Sequence, residues 1–235
     1  MKFERLRAGK PTDKPSETTG AGNEIQQLSP TQKLTQAAIK VLQRVSASFE
    51  RNHFFPKQAR RLSKQLDNPE LILDIGSSKG YLGDALQSAM PKTKVISTDV
   101  CNDHQGHTPF VVASGDALPF ADKTFDASTL FYVLHHFDRP GDALQEAKRV
   151  SKKIIVQEDT YRNKWQKWWY ELHVNSYQLN SSKYGTSVKT DAEWHELFER
   201  EGLTVTEKRR VRKVGYPVTR YEYQLEPTTV FPSGK

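Results

Sequence analysis

The sequence predicts an α/β fold: a doubly wound, mostly parallel sheet with an antiparallel last strand and helices on both faces. Three observations predict it. Glu70 to Asp84, reading ELILDIGSSKGYLGD, joins an apolar run interrupted only by Asp74 to a glycine turn and then to a helical pattern from Tyr81. That is the pattern of a buried parallel strand, a tight loop and a helix N-terminus. Strand-like and helix-like segments then alternate as far as Gln157, the rhythm of a parallel sheet with crossover helices. Two closing strand patterns, Thr204 to Val211 and Arg220 to Leu225, have no helix-length segment between them and so should pair antiparallel. In such a sheet the crevice beyond the carboxyl ends of the strands takes the ligand, because loops and helix starts present unpaired N–H groups there.

Each element has its own signal. Residues 1–28 mix Lys, Arg, Pro, Thr, Ser, Gly and Glu without apolar periodicity, and a disordered tail is expected. Residues 29–69 carry two helical patterns. The first opens on Ser29-Pro30 and repeats Leu34, Ala37, Ala38, Val41, Leu42, Val45 and Phe49; the second runs from about Pro56 through Ala59, Leu62 and Leu66 to a stop at Asn68-Pro69. The main domain should occupy 70–226, and residues 227–235 a C-terminal tail. Within it, Lys94 to Asp99 reads as a second strand, Pro109 to Ala113 as a third, Phe125 to Phe131 as a fourth and Lys153 to Gln157 as a fifth, with a helix between Asp138 and Val150. Thr190-Asp-Ala-Glu193 is a capping-box pattern, and Gly202 suits the position after a helix end.

Composition narrows the function. At 235 residues the chain affords one good-sized α/β core plus an appendage. The single cysteine, Cys101, excludes an intramolecular disulfide and a cysteine-based zinc cluster. No apolar run approaches a membrane span, and MKFERLRAGK lacks the apolar core of a secretory signal, so a cytoplasmic protein is expected. A net charge of +7 favours acidic partners. Part of it lies in Lys208 to Lys213, readable as a charge-guarded edge strand or as a nucleic-acid patch.

Gly76 and Gly80 supply a tight turn and a close backbone approach to a ligand. Asp99 lies 23 residues beyond Gly76 at the end of the second strand, where an acid accepts hydrogen bonds from ribose hydroxyls or caps the following turn. Together LILDIGSSKG, VISTDV, GDALPFADKTFD, LFYVLHHF and EAKRVSKKIIVQE, in this order and at these intervals, resemble a class I S-adenosylmethionine-dependent methyltransferase of the small-molecule and quinone branch. The resemblance covers roughly residues 31–226 and implies a Rossmann-like seven-stranded sheet with S-adenosyl-L-methionine as cofactor. It implies that Asp74, Gly76 and Gly80 shape the loop around the methionine portion. Asp99 would hold the ribose and Val100 would lie against the adenine. Asp116 would accept from the adenine amino group, with the Ala117 backbone adjacent, and Phe131 would end the fourth strand near the cofactor.

Two positions depart from the family pattern: Ser78 replaces a middle glycine, and Ser151-Lys152-Lys153 replaces a Gly-Gly turn. Serine carries a Cβ that disfavours positive φ, so altered or weaker cofactor binding is expected. If the acceptor must lose a proton, His135, His136, Glu158, Tyr161 and His173 are candidate bases; at least one of the adjacent histidines should instead pack and bond to backbone. His104 and His107 read as a polar loop, and no metal site is expected. The aromatic-rich insert 161–184 places Trp165, Trp168 and Trp169 at helical spacing, either in the core or around an acceptor pocket. The expected partner is a small-molecule or lipid-like acceptor. An RNA acceptor and a catalytically silent cofactor-binding module are the alternatives.

Overall fold

A computed structural model describes residues 41, 44–45, 47–178, 188–211 and 218–228, the side chains of 172–178 excepted. The tail expected at 1–28, residues 229–235 of the tail expected at 227–235, and most of the first helix lie outside the described residues, whereas Pro227 is the last residue of the final strand. The chain divides into two compact units, Met1–Arg44 and Val45–Lys235, and the sheet belongs to the second.

The strands are β1 Leu71–Ile75, β2 Lys94–Asp99, β3 Phe110–Val112, β4 Phe125–Phe131, β5 Ser151–Thr160, β6 Leu203–Val211 and β7 Thr219–Pro227. They form one seven-stranded sheet in the order β3-β2-β1-β4-β5-β7-β6. The first five are mutually parallel, and β7 runs antiparallel to both β5 and β6. The reversal of β7 brings its first residues to the sheet end where β1 to β5 finish. The helices are α1 Phe55–Gln65, α2 Tyr81–Ala89, α3 Pro140–Val150, α4 Lys164–Gln178 and α5 Asp191–Arg200.

Strand alternation divides the core between two faces. Ile72, Val95, Ala127, Phe131 and Ile155 pack under Ala59 and Leu62 of α1 and Leu82, Ala85 and Leu86 of α2. Leu73, Ile75, Leu130, Ile154, Val156 and Tyr223 pack under Ala143, Leu144 and Ala147 of α3 and Trp194, Leu197 and Phe198 of α5. Nearly continuous burial of β1 explains why it reads as an apolar run interrupted only by Asp74, and β4 is buried as fully although it carries Ser128 and Thr129.

Helix ends follow the local sequence. Thr190 accepts from the Glu193 amide while Glu193 accepts from the Thr190 amide, completing the capping box. Gly202 has φ +66°, a left-handed position that glycine takes without steric cost. α3 begins with Pro140, whose missing N–H forfeits nothing at a first helical position. It then runs straight into β5. Ser151 Oγ donates to Ala147 O at 2.5 Å and lies 2.9 Å from Ser128 Oγ, closing the helix without a glycine turn. β5 is longer than the expected 153–157 because β4 and β7 pair with it on both sides. β6 is an edge strand, and its charged residues guard that edge.

Candidate active site

The carboxyl ends of the parallel strands carry two unlike groups of side chains. At the ends of β1 and β2 and beyond β3 lie the glycine turn and three acids, Asp74, Asp99 and Asp116. Beyond β4 and β5, and at the start of β7, lie aromatic rings, histidines and buried ion pairs.

In the first group the turn from Ile75 is held to the neighbouring strand, because the Gly76 and Ser77 amides both donate to Thr98 O, at 2.8 and 3.0 Å. Gly76 (φ +71°) leaves no room for a side chain, since a Cβ there would lie 2.2 Å from Val133 Cγ2. Gly80 (φ +81°) starts α2, and a Cβ there would strike the His104 ring. Ser78 adopts φ +46° despite its Cβ, and its amide donates to Asp99 Oδ2 at 2.9 Å. The expected obstacle is thus met by a bond that holds the strained residue in place. The Cys101 amide donates to Asp99 Oδ1 at 2.9 Å. Each Asp99 oxygen keeps a further lone pair, so the carboxylate can still receive two hydroxyls.

Asp74 is buried on the α2 side of the sheet. Thr129 Oγ1, its neighbour on β4, donates to Oδ1 at 2.8 Å, whereas Oδ2 is buried without a hydrogen-bond partner. Burial pushes the carboxyl pKa up to about 7, the Thr129 hydroxyl pulls it down and the Asp99 charge raises it further. Asp116 is exposed in the turn after β3, bonded by the Ser114 hydroxyl, and the Ala117 amide is taken by Ser114 O at 3.1 Å. Val100 is exposed beside Asp99. Phe131 ends β4 but sends its ring into the α1–α2 core. A glycine cradle, an orphan buried acid oxygen and an acid with spare lone pairs fit a cofactor bearing a cationic amino acid end and a ribose.

In the second group Tyr132 has φ +58°, a strained value for an aromatic residue. It is held at both ends: its amide donates to Gln157 O at 2.8 Å and its hydroxyl to the Gln157 side chain. Burial raises its phenol pKa well above the ordinary value, so it remains neutral. The Arg220 guanidinium lies 4.1 Å from the Tyr132 ring centroid and 5.3 Å from that of Phe54. Arg220 Nε donates to Asp159 Oδ1 at 2.6 Å, and both residues are buried. Phe54 closes a π-helical turn, Glu50–Phe54, that precedes α1. Arg51 in the same turn lies 5.8 Å from the Tyr81 ring, so this turn reaches the start of α2 as well as Tyr132.

On the other side of the sheet Glu158, fully buried, accepts from the Leu134 amide at 2.8 Å and faces His135 Nδ1 at 2.7 Å. Burial lowers the His135 pKa, but the Glu158 charge and hydrogen bond outweigh it, and the net shift is upward. His136 lies against His135 at 4.1 Å; burial and that neighbour's charge bring it down to about 4, and its Nδ1 is buried without a partner. The packed histidine, His135, is therefore bonded to a carboxylate rather than to backbone. Tyr161 is half-buried and 5.6 Å from Lys167 Nζ. The side chain of His173 lies outside the described residues.

Trp165 and Trp168 are 58% and 56% exposed, so the helical aromatic pattern of α4 does not mark a core face at those two positions; Tyr170 and the half-buried Trp169 turn inward instead. His107 pairs with Asp84 and His104 stacks on Phe110; among the described residues no group of three or more metal-ligating side chains occurs. Sequence reasoning missed Phe54, Tyr132, Asp159 and Arg220. Arg220 opening the last strand was the visible signal, but its place depends on β7 entering beside β5.

Residues 73–154 match the family described as a methyltransferase domain. Demethylmenaquinone methyltransferase from Thermotoga maritima is 27% identical over 93 residues, which is 37% of this chain and 41% of that protein. The enzyme of the same name from Renibacterium salmoninarum is 42% identical over 52 residues, 21% of this chain and 22% of that protein. The match thus spans less than half the length of these curated relatives. Among solved structures, Burkholderia thailandensis 1,6-didemethyltoxoflavin-N1-methyltransferase, with bound 1,6-didemethyltoxoflavin and S-adenosylhomocysteine, superposes with TM-score 0.61 at 13% identity, covering 88% of this chain and 93% of that one. A chain from the complex of the Haloferax volcanii Trm112 methyltransferase activator with a methyltransferase gives TM-score 0.64 at 15% identity, covering 79% and 93%. At these identities the structural likenesses establish the fold.

Proposed function

We propose that the chain is a class I S-adenosylmethionine-dependent methyltransferase that transfers a methyl group from S-adenosyl-L-methionine to a small-molecule or lipid-like acceptor. The observation that carries this reading is the division of the crevice: acids and a glycine cradle on the β1–β2–β3 half, aromatic rings and a carboxylate-paired histidine on the β4–β5–β7 half. Asp74 and the Gly76–Gly80 turn would hold the methionine end, Asp99 the ribose hydroxyls and Asp116 the adenine amino group. The bound cofactor supplies an electrophilic methyl on a sulfonium.

Methyl transfer is an in-line displacement, and fixing the two reactants at reacting distance supplies about 7–11 kcal/mol of the barrier reduction. This chain's residues contribute chiefly by orientation and by moving one proton. Val133 against Gly76 joins the two halves of the crevice, and the strained Tyr132 beside it sets the direction of that connection. Glu158 on His135 Nδ1 fixes the tautomer that leaves Nε2 basic and strengthens it, the arrangement a general base requires. His136, held neutral by its low pKa, can accept a hydrogen bond from the acceptor but cannot retain a proton. Trp165, Trp168 and Trp169 on α4 would border the acceptor's route.

The test is incubation with methyl-labelled S-adenosyl-L-methionine and, separately, hydroxylated quinones and aromatics or total cellular RNA. Label in the small molecules supports the reading; label in RNA alone, with binding that falls steeply as salt rises, overturns it. Exposed Arg209 and Arg210 on β6 are the feature that favours the RNA alternative.

A further inference from the structure

Asp74, set at the methionine end of the cofactor reading, is a buried acid without a cationic side-chain partner among the described residues. It stands on β1 two residues before Gly76, on the face covered by α2. Its surroundings supply one hydroxyl donor, Thr129 on β4, the Gly83 amide of α2 and the like charge of Asp99 at the end of β2; among the described residues none of these packed elements turns a cation toward it. Oδ2 has no hydrogen-bond partner. The Thr129 hydroxyl and the Gly83 amide offset only part of the desolvation cost of an ionised carboxylate here, and a proton on the carboxyl removes the rest.

We propose that Asp74 couples cofactor binding to proton release: its carboxyl is protonated in the unliganded protein and gives that proton to solvent when the cationic methionine end settles in the glycine cradle. The inference rests on the cofactor reading above. The step is the dissociation of one O–H bond, with the electron pair staying on the carboxylate and the proton passing to buffer. The arriving ammonium supplies the positive charge that the surrounding elements lack, so the ionised form becomes the stable one only in the complex. Reciprocity then requires that proton concentration compete with the cofactor.

Calorimetric titration of the full chain with S-adenosyl-L-methionine, in buffers of differing ionisation enthalpy, counts the protons. For a carboxyl titrating at about 7 the expected release approaches one proton per cofactor on the acid side of that value and falls towards zero on the alkaline side. Asp74→Asn should bind more weakly, with no proton release and with an affinity that no longer falls as pH drops below about 7, and Thr129→Val, which removes the donor favouring the charged form, should shift the release curve to higher pH. Independently of cofactor, the infrared C=O band of a protonated carboxyl should be present in the unliganded protein at about pH 6 and absent from Asp74→Asn. Tight binding with no proton release, or release that persists in Asp74→Asn, overturns the coupling while leaving the cofactor reading intact. Failure of the wild-type chain to bind, with the infrared band present, overturns the cofactor reading and the coupling that depends on it.

Discussion

At the residue scale, two side chains carry sharp expectations. Asp99 accepts amides from Ser78 and Cys101 and still has lone pairs for two hydroxyls. Hydrogen bonds to a charged acceptor contribute about 1.5–3 kcal/mol, so Asp99→Ala should weaken S-adenosyl-L-methionine binding about tenfold to a hundredfold. A calorimetric affinity equal to wild type, in a folded variant, would remove the ribose assignment. His135 is the second. Its pKa is raised because Glu158 favours the imidazolium, and the imidazolium cannot take a proton. Methyl transfer to a hydroxyl acceptor should therefore rise with pH, with a midpoint above the ordinary imidazole value of 6.5. Glu158→Gln should move that midpoint downward in kcat/KM against pH. An unmoved midpoint would show that another group supplies the base.

At the element scale, the turns between strand and helix decide how the two halves of the crevice meet. Gly76 sits where φ is positive and where a Cβ would overlap Val133. Gly76→Ala should cost about 1–3 kcal/mol of stability, read from denaturant midpoints, and should reduce cofactor affinity as the β1 turn pushes away the β4 turn. The capping box at Thr190 lies far from this chemistry along the chain. Thr190→Ala should cost about 1 kcal/mol and leave cofactor affinity unchanged, which makes it a control for simple destabilisation. A loss of affinity in that variant would show that α5 is coupled to the site. The π-helical turn Glu50–Phe54 is a third case. It presents Phe54 to Tyr132 and Arg220 from a segment that sequence periodicity alone treats as ordinary helix.

For the whole molecule, the sheet holds a set of charges whose balance depends on pairing across β5, β7 and α1. Arg220 pairs with Asp159, Arg61 with Glu222 and His135 with Glu158, all with buried carboxylates. Removing one member leaves its partner charged and unpaired, so Arg220→Met should destabilise by about 3–5 kcal/mol by chemical denaturation. A change near zero would show that water reaches Asp159. Asp74 gives the molecule a pH signature of the opposite kind. Its folded pKa of about 7 lies above the ordinary 3.8, so the folded protein binds the extra proton and the stability it contributes is present below about pH 4. That contribution is lost as pH rises to about 7. Thermal melts of wild type and Asp74→Asn across this window should differ in slope, with the variant lacking the decline.

The sequence by itself determined the fold class, the strand–glycine–helix unit, the capping box and the positions of Asp99 and Asp116, because these are written in local periodicity and turn chemistry. It left Lys208 to Lys213 readable as a guarded edge or as a nucleic-acid patch, and the described part of that run, to Val211, lies on the edge strand β6. Other features came only from tertiary structure. The left-handed backbone of Ser78 and Tyr132 is imposed by bonds to Asp99 and Gln157, partners remote in sequence. Arg220 joins the site because β7 inserts antiparallel beside β5, which brings the start of one strand to the end of the other. Whether an aromatic residue on α4 faces core or solvent depends on what packs against that helix, and spacing alone could not separate buried Tyr170 from exposed Trp168. The missing partner of Asp74 Oδ2 is likewise a property of its packed neighbours, since a strand residue's own sequence says nothing of what lies across from its side chain.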